Sequence, residues 1–428
     1  MAAGAAGEIS TAVWTLGVGG GYLYAGGDFI RAGNAGVLGL ARWDGVEWSA
    51  VMGPRTRRAY LAAREVRVVS SDNIYIGGNA LRLIGGKSVG RIAHWDGSSW
   101  DSMAGGLTGT GTIGANSIIE QGGLVYVGGS FTAAGEVRAR NVAVWDGANW
   151  SPLASGLNNS VNALAFHNGQ LFAGGAFTAR GDGTGALHGF AVWDGSDWQD
   201  VPTSSFWRIN NVVNALVSDG INLYMGGNFL IGWQYPFPPF DGQSLDNVGR
   251  WYGANWWALG AGFTNTVNAL AIQNGILYAG GSFTNTGGLE VTRIAKWAGG
   301  QWFPLGSGVS NTVSPANGSV SGLAVHDDDV YLAGSFNRVG GKPALGVARW
   351  NETLSFAPPL PLLLRNPRWQ SGLMTFDISG ILSGTYSVLA STNLVDWETI
   401  HIDTAAITTY ADPASAFLRQ RSYRLQQP

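Results

Sequence analysis

A glycine doublet followed by a spaced pair of tryptophans, repeated seven times, predicts an all-β fold: a seven-bladed β-propeller followed by a small C-terminal β-sandwich-like domain. The full phrase reads Val-Asn-Ala-Leu-Ala, then Leu-Tyr-Ala-Gly-Gly-x-Phe, then Ile-Ala-x-Trp-Asp-Gly, then Trp-x-x-Leu-Gly. The doublet falls at Gly26 and Gly27, Gly77 and Gly78, Gly128 and Gly129, Gly174 and Gly175, Gly226 and Gly227, and Gly280 and Gly281. The seventh copy has Ala333 and Gly334. The first tryptophan of each pair is Trp43, Trp95, Trp145, Trp193, Trp251, Trp297 or Trp350. The second is Trp48, Trp100, Trp150, Trp198, Trp256 or Trp302, and the seventh copy has Ser355 and Phe356 there instead. A period of about fifty residues is that of propeller blades.

The propeller is expected over 8–357, with blades near 11–51, 64–104, 114–155, 160–202, 212–260, 266–306 and 319–357. Each copy holds four short apolar stretches bounded by turn signals, hence four strands. In the sixth copy these are 267–272, 276–281, 292–297 and 302–305. Asn274-Gly275 suits the positive φ of a type I′ turn between strands one and two. Trp-Asp-Gly turns strand three into strand four, with the two Trp rings expected to pack between blades. The glycine doublet lets backbones approach where a side chain would clash. Residues 358–369, with Pro358, Pro359, Pro361 and Pro367, read as a stiff Pro-rich linker. Residues 370–428 read as a small β-domain, with strands near 373–378, 386–390 and 423–425. The phasing leaves open how the ring is closed.

Composition narrows the partners. Among 428 residues, 45% are hydrophobic, enough for a large core. The net charge of −3 carries no basic excess, so no nucleic-acid partner is expected. The absence of cysteine excludes disulfides, thiolate metal sites and a cysteine nucleophile. No apolar run is long enough to span a membrane. Residues 1–7 lack the basic and apolar segments of a signal peptide and are read as a start placed after a removed leader in preference to a cytosolic start.

These repeats resemble kelch-type and related propeller repeats. The pattern is most similar to the Gly-Gly-x-Phe-Thr, Trp-Asp-Gly repeats of bacterial surface proteins and fungal cortical polarity markers. The resemblance covers 11–357 and implies a fold rather than a function, since propellers host enzymes, lectins and scaffolds alike. The Tyr and Cys residues of a galactose-oxidase-like copper site are lacking. The phrase at 386–397, Tyr-Ser-Val-Leu-Ala-Ser-Thr-Asn-Leu-x-x-Trp, resembles a C-terminal module of secreted proteins from Verrucomicrobia and relatives. That resemblance implies an extracellular or cell-surface location and a role in attachment or sorting; a module that simply caps the chain fits the residues equally.

In an up-and-down blade the 1–2 and 3–4 turns share one face, and the 2–3 and inter-blade 4–1 connections share the other. The first face is monotonous here. The second holds nearly all the length variation, at 53–64, 203–211, 230–247 and 311–319, with a lesser insertion at 180–188. Varied loops on a rigid scaffold are where ligands usually bind. Thirteen of the 19 Trp belong to the repeat pairs; Trp14, Trp207, Trp233, Trp257, Trp369 and Trp397 do not. Trp207 enters the fifth blade and Trp233 lies in its 2–3 loop, so both are expected at one end of that blade. Phe206, Trp207, Arg208, Trp233, Tyr235, Phe237, Phe240 and Asp241, with Asp246 close by, are the expected ligand-binding residues. Rigid flat rings suit stacking on sugars or gripping an extended peptide. A loop folded on its own small core is the alternative.

Other candidates have structural readings beside functional ones. Arg55, Arg57, Arg58, Arg64 and Arg67, beside Tyr60 and Glu65, form either a patch for an anionic ligand or a solvated loop paired with local acids. Asp44, Asp96, Asp146 and Asp194 read as turn caps. Asn116, Asn162, Asn214 and Asn268 begin strand one of four blades, and read as a bonded ring in preference to a ligand ring. His94, His167, His188, His326 and His401 are scattered, with His188 near Asp182 and no zinc-ligand spacing, so no metal and no cofactor is expected. Asp327, Asp328 and Asp329 read as a solvated turn, and Gly86-Lys87-Ser88 as the repeat's own loop, not a phosphate loop. Asn158, Asn317 and Asn351 match glycosylation acceptors.

The expected function is ligand binding, foremost of carbohydrate, by a secreted or surface propeller. No catalytic motif is evident. One alternative is a glycan hydrolase or lyase at the channel mouth, with Glu65, Asp182, Asp241, Asp246 and Glu290 as candidate acids. The other is a surface scaffold that binds protein or assembles with itself.

Overall fold

Short apolar runs closed by Gly-containing turns fold as antiparallel hairpins, and the computed structural model is all-β. The 3-10 turn Pro315–Asn317 is the sole helical segment among the described residues. The structure describes residues 12–51, 63–84, 86–201, 209, 211–231, 245–252, 255–327, 329–351, 363–370, 373–379, 386–392, 398–403, 409–412 and 422–426. The chain divides into two units, Met1–Asn351 and Glu352–Pro428.

In the first unit each repeat copy folds as one antiparallel sheet in the spatial order one-two-three-four. Sheet 3 illustrates the plan, with strands Gly114–Gln121, Leu124–Ser130, Val142–Trp145 and Trp150–Pro152. The first strands of the other sheets are Val13–Gly19, Glu65–Ser70, Val161–His167, Val212–Ser218, Val267–Gln273 and Ser319–His326. Six sheets have four strands. Sheet 7 has three among the described residues, and its expected last strand near 352–356 lies outside them. The seven first strands neighbour one another in cyclic order, and the order closes where sheet 7 meets sheet 1. There the Ser321 hydroxyl donates to the Val13 carbonyl at 3.0 Å.

The repeated residues hold this ring together. The two tryptophans face each other across the 3–4 turn, with ring centroids 5.1 to 5.5 Å apart in six sheets. The second also bridges sheets: the indole N–H of Trp150 donates to the Met103 carbonyl, and that of Trp302 to the Leu259 carbonyl, each at 2.7 Å. Both carbonyls lie just past the last strand of the preceding sheet. The glycine doublet sits where strand two meets its neighbours. A Cβ on Gly128 would fall 2.5 Å from Val161 Cγ1 of sheet 4, and one on Gly129 would strike the Gly114 carbonyl of its own first strand. The Asp of each Trp-Asp-Gly turn accepts N–H groups two and three residues on, as Asp146 does from Ala148 and Asn149.

The 2–3 connections, expected as plain loops, contain small ribbons. In sheet 3, Ala133–Ala134 pairs with Val137–Arg138, and Leu107–Thr108 of the incoming 4–1 connection adds a third strand. Short complementary dipeptides flanking a left-handed glycine such as Gly135 (φ 55°) can ladder once the sheet below holds their ends together.

The second unit contains two three-stranded antiparallel sheets. In one, Leu373–Ser379 lies between Leu363–Gln370 and Thr409–Asp412; in the other, Tyr386–Ser391 lies between Glu398–Asp403 and Ser422–Gln426. The expected linker over 358–369 is thereby shortened, since residues 363–369 are strand. Pro367 is tolerated because it falls in the register break between Arg365 and Arg368, where the ladder already lacks a bond. Residues 358–362 lie outside the described residues.

Candidate functional site

The expected aromatic site, Phe206, Trp207, Arg208, Trp233, Tyr235, Phe237, Phe240 and Asp241, lies outside the described residues. The strands that launch its two loops are described. Val212 pairs with Asn228 and Leu230 with Asp246, so both loops leave the same end of sheet 5.

In six sheets the inner edge of the ring is built from the residue that bulges out of the first strand, while in sheet 2 the register shifts between Val68 and Ser70. Each such bulge frees a side chain to reach the next sheet. The Asn116 amide donates to the Val161 carbonyl, Asn162 to Val213, Asn214 to Val267 and Asn268 to Val320, at 3.1 to 3.3 Å. Ser321 continues the series to Val13. The four asparagines thus form a bonded series along the ring, each reaching the first strand of the next sheet. One residue further on, the Ser117 hydroxyl accepts the Leu164 N–H at 3.0 Å.

Sheets 1 and 2 break this series. The positions equivalent to Asn162 are Trp14 and Arg64, as the pairing of Thr15 with Gly26 and of Glu65 with Gly77 establishes. The Arg64 guanidinium lies over the Trp14 ring, 4.8 Å from its centroid, and its Nε donates to Asn79 Oδ1 at 3.2 Å. Glu65 takes the place of Ser117 and accepts the Ile118 N–H of sheet 3 at 3.5 Å. It is half-buried. Loss of hydration pushes its carboxyl up to about 7, against the opposing pull of the Ile118 N–H and the Arg67 charge. Arg67 lies two residues on, and its Nε is buried without a hydrogen-bond partner among the described residues.

A second feature lies where sheets 3 and 4 meet, on the face of the 2–3 and 4–1 connections. It is an open groove of about 770 Å³. Thr110 and Thr112 of one connection, Ser130 and Thr132 at the end of strand two, Arg138 and Arg140 of the ribbon, and Asn158, Asn159 and Ser160 of the next connection line it. Part of this polar lining is committed. Asn158 Oδ1 accepts the Thr178 and Ala179 N–H groups, Arg140 donates to the Gly181 carbonyl, and Asn141 bonds both Phe131 N–H and the Leu157 carbonyl. Asn141 is left-handed (φ 63°), a conformation asparagine tolerates, which aims its amide across the two connections. The side chains of Thr110, Thr112, Ser130, Thr132 and Arg138 have no partner among the described residues, and all but Ser130 are exposed. Sequence reasoning missed this groove, because it looked for aromatic rings and long insertions. The signal available was the density of Thr, Ser and Asn in two adjacent connections.

The candidate acids are dispersed. Glu65 is on sheet 2, Asp182 in the 2–3 connection of sheet 4, Asp246 on sheet 5 and Glu290 in the ribbon of sheet 6; Asp241 lies outside the described residues. Asp182 is exposed and is held below the usual carboxylate range by the Thr184 hydroxyl and N–H. The turn aspartates Asp44, Asp96, Asp146 and Asp194 are likewise lowered, chiefly by backbone N–H groups. Of the arginine run, Arg55, Arg57, Arg58 and Tyr60 lie outside the described residues. His94 stacks on Tyr75, His167 bonds Ser218, and His188 faces Asp200 at 3.6 Å. Asp329, expected in a solvated turn, is instead buried and paired with Arg349, because it belongs to the second strand of sheet 7. Lys87–Ser88 is part of a ribbon. Among the described residues no three His, Asp or Glu side chains group to hold a metal, and no helix is long and apolar enough to cross a membrane.

No protein-family model matches the chain, and no curated protein is similar to it. Among solved structures, one described as a glycoside hydrolase is 11% identical, with 73% of this chain and 93% of that one covered, at a TM-score of 0.27. Likeness at that level carries no argument about fold or reaction.

Proposed function

We propose that the ring of seven sheets is a seven-bladed, kelch-like β-propeller, displayed outside the cell or on its surface, that binds carbohydrate through the face of its 2–3 and 4–1 connections. The observation that carries this reading is the groove between sheets 3 and 4. Five uncommitted side chains, four hydroxyls and one guanidinium, converge there on a space of about 770 Å³, the scale of a small-molecule site. Sugar hydroxyls both donate and accept, and Thr and Ser match them. Rigid sheets hold the launching strands, so little ordering entropy opposes binding. Among the described residues the candidate acids Glu65, Asp182, Asp246 and Glu290 lie on four different sheets. The strands that launch the two aromatic loops of sheet 5 end on the same face.

A glycan array tests the reading with three proteins: the wild type, a Thr112→Ala/Thr132→Ala/Arg138→Ala variant, and a Trp207→Ala/Trp233→Ala variant. Binding lost in the first variant, by about tenfold or more from Arg138 alone, supports the groove. Binding lost only in the second moves the site to sheet 5. Silence from the wild type across the array overturns the carbohydrate reading and leaves an extended peptide as the ligand to test.

A further inference from the structure

We propose that the inner edge of sheet 2 is a separate binding site for the carboxylate of a small organic acid, taken by Arg67 and regulated by the proton of Glu65. The site stands apart from the groove and does not depend on it.

Three observations converge. First, the ring's repeated chemistry is neutral. At the positions of Arg64, Glu65 and Arg67, sheet 4 carries Asn162, Ala163 and Ala165, and sheet 6 carries Asn268, Ala269 and Ala271. Sheet 2 alone places three charged residues on four consecutive positions of a first strand. Secondly, these groups do not satisfy the interface they occupy. Where neighbouring sheets use a short amide or hydroxyl to close the inter-sheet gap, Glu65 reaches its N–H only at 3.5 Å, and the Arg67 Nε is buried without a partner among the described residues. A buried guanidinium N–H left unpaired is costly, and a ligand oxyanion is what it fits. Thirdly, the Arg64 guanidinium is taken up by the Trp14 ring and Asn79, and Arg67 is the cation that acts on Glu65.

Glu65 supplies the regulation. Its surroundings are well defined. Arg67 shares its strand and Arg64 directly precedes it, the first strand of sheet 1 has no ionisable residue, the second strand of sheet 1 carries Tyr22 and Tyr24, strand two of its own sheet carries Tyr75, and the first strand of sheet 3 carries Glu120. Neutral, Glu65 leaves Arg67 free for an anion and can donate to it. Ionised, it competes for Arg67 and repels the ligand. With its carboxyl raised to about 7, that change falls at ordinary pH. Binding of an anion takes up the proton, so affinity is highest below about pH 7 and declines above it.

Isothermal titration of the full chain with glucuronate tests this, with glucose and sulfate as comparison probes. Wild-type affinity should fall about tenfold from pH 6 to pH 8. Glu65→Gln should bind glucuronate at pH 8 as tightly as at pH 6. Arg67→Ala should abolish binding, and Arg67→Lys should weaken it, since a point charge replaces a fork. Sulfate should compete and glucose should not. Wild-type binding that ignores pH, or that survives in a folded Arg67→Ala protein, overturns the proposal; so does the absence of any glucuronate binding at pH 6. The Glu65→Gln arm decides even if Arg67→Ala does not fold. Because glucuronate is titrated apart from the glycan array, either reading can fail while the other stands.

Discussion

In the inner strands of sheets 4 and 2, Ala163 lies opposite Gly174 and Glu65 opposite Gly77, but the register of sheet 4 shifts at Asn162 and that of sheet 2 between Val68 and Ser70. One presents Asn162, Ala163 and Ala165; the other presents Arg64, Glu65 and Arg67. In sheet 4 the amide of Asn162 reaches the Val213 carbonyl and itself receives the Asn116 amide, so each junction is satisfied from both sides. In sheet 2 the same backbone positions leave a guanidinium N–H unpaired and a carboxyl with its proton affinity raised. A repeat protein can afford one such departure because its other junctions carry the ring. The difference teaches that position in the repeat and chemistry at that position are separable, and that function is to be sought where they part.

The largest effect should come from what the two sheets share. Gly174→Val would drive a branched side chain into Val213, whose Cγ1 already lies 2.5 Å from the position of a Cβ. Gly77→Val would meet the Ala115 Cβ at 2.6 Å. Each should cost about 3 kcal/mol, read by urea unfolding at constant m-value. A tolerated valine in sheet 2 alone would mean that the junction there is looser and would sharpen the contrast.

The next effect separates them. Asn162→Ala strands the Val213 carbonyl on the inner edge and should cost about 1 to 2 kcal/mol. Arg64→Ala removes a partly exposed stacking contact over Trp14 and should cost less than about 1 kcal/mol. Equal losses in thermal unfolding would break the comparison, because Arg64 would then be as structural as Asn162.

The last effect is one of pH, and it has opposite signs in two regions of the molecule. A carboxyl raised from its unfolded value of 4.5 to about 7 stays protonated in the folded protein while the unfolded chain ionises. Its contribution is therefore complete below pH 4.5 and is lost as pH rises to about 7. Glu65→Gln should match the wild type in acid and exceed it in stability at pH 8. The turn aspartate Asp146 has the opposite sign: its carboxyl is lowered by turn N–H groups, so its contribution is present at neutral pH and lost in acid. An Asp146→Asn variant that loses stability at pH 7 but not at pH 3 would separate the two signs within one molecule.

Much of the architecture was legible because the repeat writes each sheet locally. Asn274-Gly275 and the Trp-Asp-Gly turns state where hairpins reverse, and the strands expected in the sixth copy lie within a few residues of those observed. Asn116, Asn162, Asn214 and Asn268 were legible as a ring because their position recurs. Pro367 misled, since proline reads as a break and the register shift that absorbs it exists only when two strands are paired. The groove between sheets 3 and 4 was not legible either. Its lining comes from two connections and a ribbon that are separate in sequence, and threonine or serine in a loop has no meaning until the sheets below hold them together.

By itself, then, the sequence determined the main strands of each repeat, the turns between them and the seven copies, all of which depend on short-range pattern and period. Only the tertiary structure decided that sheet 7 meets sheet 1 through Ser321 and Val13, residues 308 apart. It alone decided which hydroxyls remain uncommitted above sheets 3 and 4, and that Glu65 loses its water beside Arg67. Each of these is a matter of what lies across a junction between sheets, and burial and pairing across a junction are set by packing between residues that no local pattern relates.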